Sequence, residues 1–95
     1  SSEWQAALAE AVPEAVAGLR RLMAQGIPAP VVGYEWTGTG GAIGAEAELA
    51  WAGARLAILR ADQAEQAPVW QAIGWTVFPL VEDWVAAVLT TFGRS

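Results

Sequence analysis

Glu46 and Glu48 stand two residues apart in the stretch Ala45-Glu-Ala-Glu-Leu-Ala-Trp51, where acidic residues alternate with small or apolar ones. On a strand that spacing sends both carboxylates to one face, where they could share a divalent cation or work as an acid and base pair. Glu35, on the preceding β-prone run, would supply a third oxygen ligand, and a hard cation needs several. The metal reading therefore requires Glu35, Glu46 and Glu48 to converge. Ordinary strand amphipathicity favours the plainer alternative: a solvated face for the glutamates, with Ala45, Ala47, Leu49 and Trp51 turned to the core.

Other chemistry is excluded or weak. With no Cys and no His, the chain has no thiolate ligand, no disulfide, no imidazole base and no Ser-His or Cys-His catalysis. The glycines at 38, 40, 41 and 44 suggest a phosphate cradle, but no Gly-Lys-Ser/Thr follows and the next segment reads as a strand, where such a cradle needs a helix N-terminus. They fit a hairpin turn with positive φ. Most of the six tryptophans fall at strand and helix positions that belong to a core. Trp4 and Trp36, near an end and a loop, are the ones expected at the surface, where they would offer a partner-binding patch.

The elements that must position these residues follow from periodicity. Ser2 and Gln5 fit a capping box, and Trp4, Leu8, Val12, Ala15, Leu19 and Leu22 fall on one helical stripe. Pro13 predicts either a kink or a restart with Pro13 in a new first turn; Gly26 supplies the stop. Val31 to Trp36 and Ala45 to Trp51 read as a hairpin around the glycine-rich loop, and Arg55 to Leu59 as a buried central strand after a turn at Ala52-Gly53. Asp62 and Glu65 suggest a helix start, with Pro68 delaying its consolidation and Gly74 ending it. Trp75 to Phe78 is a strand closed by Pro79, and Glu82 or Asp83 opens a last helix with Trp84, Val85, Val88, Leu89 and Phe92 on its apolar face. The expected order is α-β-β-β-α-β-α, an α/β (α+β) domain with a mixed sheet flanked by helices.

Length and composition agree. Residues 1–95 suffice for one hydrophobic core, and a 55% hydrophobic fraction opposes disorder. No apolar run is long enough for a bilayer span and no signal peptide is evident, so a cytoplasmic location without membrane contact is expected. The chain reads as one domain of a larger protein. Its net charge is −5, and all five cations are arginines, Arg20, Arg21, Arg55, Arg60 and Arg94. That balance disfavours direct nucleic-acid contact unless the arginines gather on one face.

The segment from Ala45 to Trp51, the tight turn, Arg55-Leu-Ala-Ile-Leu59, the intervening helix and Gly74-Trp-Thr-Val-Phe78 resemble the core of the very-short-patch-repair endonuclease branch of the PD-(D/E)XK nucleases. The resemblance implies a restriction-endonuclease-like fold. In those nucleases an Asp precedes the segment matching Leu49-Ala50-Trp51, and an acid on the next strand joins it in holding magnesium. Glu48 takes the first position; the second falls near Leu59, and no lysine follows. One carboxylate beside a leucine does not make a hard-cation site, so the resemblance implies the fold and opposes the activity.

The expectation is thus a non-catalytic accessory domain without a cofactor, in which Glu48 is a vestige. It would sit on a helicase-like DNA-processing protein and dock the parent helicase or another protein domain. The rivals are a magnesium-dependent nuclease using Glu35, Glu46 and Glu48 in a rearranged site, and a self-associating homodimer module with an exposed Trp face.

Overall fold

The computed structural model describes residues 1–38, 40–81 and 83–94. Helix α1 spans Ser2–Glu10 and α2 spans Pro13–Ala24. Pro13 starts a second helix because its ring suits a first helical turn and its missing N–H is not needed there. The first cap is Ser1, whose Oγ accepts from the Trp4 N–H at 3.3 Å, one residue earlier than Ser2 with Gln5 would place it. Gly26, just past the end of α2, takes φ +77° and stops the helix.

Strands β1 (Val31–Thr37), β2 (Ile43–Trp51), β3 (Leu56–Leu59) and β4 (Thr76–Pro79) form one sheet in that spatial order. The first three are antiparallel and β4 runs parallel to β3. A 3-10 turn, Ala52–Ala54, joins β2 to β3. The crossover to β4 is a 3-10 helix, Ala61–Gln66, running into α3, Ala67–Ala72. Asp62 and Glu65 do not cap it; the Gln63 side chain does, accepting from the Arg60 N–H at 3.0 Å. Helix α4, Trp84–Thr91, closes the chain from Asp83, while Glu82, the other candidate start, lies outside the described residues. The architecture is a compact α+β domain with a four-stranded mixed, open sheet. No described helix is long and apolar enough to cross a membrane.

Two cores lie on the two faces of the sheet. Helices α1, α2 and α4 bury Trp4, Leu19, Leu22 and Val88 against Leu49, Trp51, Leu56 and Ile58. On the other face Trp70 of α3 covers Ala45, Ala47, Ala57 and Leu59. Strand β3 is wholly buried, as expected of a central strand between two layers.

Alternation breaks within the β1–β2 pair. Val32 and Leu49 pack in the first core, yet Tyr34 and Ala47, each two residues away, pack in the second. Between those pairs the register sets Gly33 against Glu48 and skips them in the ladder. Gly33 has φ +69°, a conformation that strains residues with a Cβ, and the side chains change faces there.

Glycine serves a different need at two other positions. Gly44 lets the Trp36 ring lie on the backbone: an added Cβ would stand 2.5 Å from Trp36 Cζ3. At Gly18 of α2 a Cβ would meet Trp84 Cζ2 and stand 2.6 Å from Val85 Cγ2, so the bare backbone lets α4 approach. Gly18→Ala raises helix propensity by up to about 1 kcal/mol. It also overpacks two mostly buried side chains, which costs about 1 to 3 kcal/mol. A net loss is expected, measurable as a lower urea midpoint; a rise would show that α4 shifts freely on α2.

Candidate site around Glu48

Where β3 ends, side chains complete the β2 ladder. Strand β2 has nine residues and β3 four, leaving the Glu46 peptide groups without a strand neighbour on that side. Gln66 Oε1 accepts the Glu46 N–H at 2.6 Å, and the Trp70 indole N–H donates to the Glu46 carbonyl at 3.3 Å. The crossover is thereby fastened to β2.

Glu48 lies in the same gap. One of its oxygens accepts from Arg60 Nη1 at 2.6 Å, and the other accepts the backbone N–H of Val12, between α1 and α2, at 2.9 Å. Arg60 follows β3 and also grips Asp62, with Nε to Oδ1 at 2.9 Å and Nη2 to Oδ2 at 3.1 Å. One guanidinium thus joins a carboxylate from the sheet to one from the crossover, in the two-pronged geometry that planar donors favour. Asp62, and then Glu48, hold the Arg60 guanidinium above its usual value. Hydrogen bonds from Arg60 hold the Asp62 carboxyl below the ordinary carboxylate range. The contribution of Asp62 is therefore present above its unfolded pKa and lost as pH falls through the lowered folded value; exposure to water keeps it small.

These contacts correct the solvated-face expectation for Glu48, which is 2% exposed. A buried acid needs a positive partner and hydrogen bonds, and both come from residues far along the chain. Glu46 does face solvent, and Glu35 is its cross-strand partner, also exposed. The three acids are not assembled into a cation site: among the described residues no group of three or more Asp or Glu side chains is placed to hold a metal ion. Leu59, where the second acid of the resembled nucleases would fall, is buried beneath Trp70 in the second core.

The tryptophan expectation divides. Trp4 is 8% exposed and its indole N–H donates to the Ile27 carbonyl at 3.1 Å, so it is a core residue and not a partner-binding surface. Its position near the chain end misled because the α2–β1 connection folds back over it. Trp36 is half-buried beside Gly44. Trp51, Trp70 and Trp84 are core, as expected. Sequence reasoning gave Arg60 no role; the one available signal was that it follows a wholly apolar strand, where a charge must find a partner at the sheet's end.

Comparison with protein-family models, curated proteins and solved structures finds no match to this chain.

Proposed function

We propose that this is a non-catalytic, restriction-endonuclease-like accessory domain of a helicase-like DNA-processing protein, and that it acts by docking another protein domain. The observation carrying the proposal is the state of Glu48. At the position where the resembled nucleases hold magnesium, its two oxygens are engaged by Arg60 and by the Val12 amide. A guanidinium already supplies the positive charge a metal would bring, and it is tethered, so a hydrated divalent ion must displace it and strip its own water to enter. Leu59 contributes no oxygen in place of the second acid. The element order and the mixed sheet agree with the fold half of the proposal. A net charge of −5 favours a protein partner over a phosphate backbone.

Magnesium or manganese titration of the isotope-labelled domain tests the non-catalytic half. The expected result is no saturable shift at the amides of Glu35, Glu46 and Glu48 at millimolar metal. Localised, saturable shifts at those positions would overturn it in favour of a rearranged nuclease site, and Glu48→Ala in the intact protein would then abolish DNA cleavage.

A further inference from the structure

We propose that the groove between the 3-10 helix Ala61–Gln66 and the end of β4 receives an aliphatic side chain from a basic segment of a partner protein. The proposal rests on the docking reading and assigns it a surface. A cavity of about 400 Å³ opens there. A 3-10 helix has three residues per turn, so side chains three apart eclipse one another and the helix sorts into stripes. Ala61, Ala64 and Ala67 line the cavity. Gln63 and Gln66 are engaged elsewhere, on the Arg60 and Glu46 amides. Asp62 and Glu65 make the third stripe, exposed and beside the alanines.

The opposite wall comes from Val77, Pro79 and Val81. Val81 is 59% exposed, the highest value for a large aliphatic side chain among the described residues. Among the described residues Arg60 is the one charged residue lining the cavity, and its guanidinium is bound to Glu48 and Asp62, so it offers little to an incoming anion. The slot is therefore apolar and the charge beside it negative. Such a surface accepts an aliphatic anchor flanked by Lys or Arg and repels an acidic segment, and the net charge steers encounters in the same sense.

The test uses a synthetic amphipathic peptide of about four helical turns, with Leu on one face and Lys on the other, and an isomer carrying Glu in place of Lys. Each is titrated into the isotope-labelled domain. Saturable shifts are expected at the amides of Ala61, Ala64, Ala67 and Val81 with the Lys peptide, and binding roughly tenfold weaker with the Glu peptide. Ala64→Leu fills the slot without altering charge and should remove those shifts. Glu65→Lys, on an exposed position, should weaken them while the spectrum confirms the fold. Absence of binding, equal affinity for both peptides, shifts centred elsewhere, or shifts that survive Ala64→Leu in a folded domain would each overturn the proposal. Failure of the non-catalytic half of the proposed function is distinguishable, because it would show as metal-dependent shifts at Glu35, Glu46 and Glu48 irrespective of either peptide.

Discussion

Trp70→Ala is expected to lower the stability of the domain by about 3 to 5 kcal/mol, the range for removing a buried tryptophan. A domain of this length holds roughly 5 to 15 kcal/mol in all, so at least about a fifth of it is at stake. Trp70 has no exposed surface and is the largest fully buried side chain. Its ring fills the space that Ala45, Ala47 and Ala57 leave open, and its centroid lies 4.7 Å from that of Trp75, the two rings tilted at 52°. Three alanines cannot close a void of that size, since none has a side chain to move into it. The indole N–H also satisfies the Glu46 carbonyl. Trp70→Phe keeps most of the volume and loses that bond, so it should cost less than half as much. Urea unfolding followed by far-UV circular dichroism measures both, free of the fluorescence of the remaining tryptophans. An alanine variant within about 1 kcal/mol of the parent, well below this range, would mean that α3 collapses onto the sheet and that the second core is soft.

The second large effect is at the ion pair. Arg60→Met leaves Glu48 buried without its cation, and removing one partner of a buried pair costs about 3 to 5 kcal/mol when water stays out. The Arg60 side chain is 34% exposed, so water can enter beside Glu48 and the expected loss is about 2 to 3 kcal/mol. Adding Glu48→Leu to Arg60→Met should recover most of this, because no stranded charge remains. A residue of about 1 kcal/mol persists from the Val12 N–H, which loses its acceptor. A double-mutant cycle on urea midpoints reads the coupling directly. A neutral Arg60→Met would show that Glu48 reaches solvent and would remove the argument that its site is filled.

Local chemistry made most of the elements legible. Pro13, Gly26, Gly74 and Gly93 punctuate the chain as the residue types dictate, with Gly26, Gly74 and Gly93 each at φ above +70°. The apolar run before Arg60 is the central strand, and the stripe from Trp84 to Phe92 packs in the first core. What could not be read was long-range. Glu48 looked solvated because alternation in β2 appeared regular; the face change depends on Gly33 across the ladder, and the neutralising charge is twelve residues further on. The 3-10 geometry of Ala61–Gln66 was equally hidden, because Asp62 with Glu65 satisfies the helix-start pattern while Gln63 and Gln66 bond elsewhere. Trp4 is held by a carbonyl at Ile27 that no local window contains.

The end of β4 bears on how the molecule behaves when crowded. The amides of Thr76 and Leu80 donate inward, to the Arg55 and Leu59 carbonyls, so the alternate positions, Val77 and Pro79, are the ones turned outward from the sheet. Proline has no N–H, and the Pro79 carbonyl already accepts from Val81 at 2.9 Å. A strand approaching this border finds Val77 alone able to offer a donor and an acceptor, too little to template growth. Concentrated solutions of the folded domain should therefore resist fibril seeding along this border, and Pro79→Val, by restoring a donor, would shorten the lag before thioflavin-positive material forms.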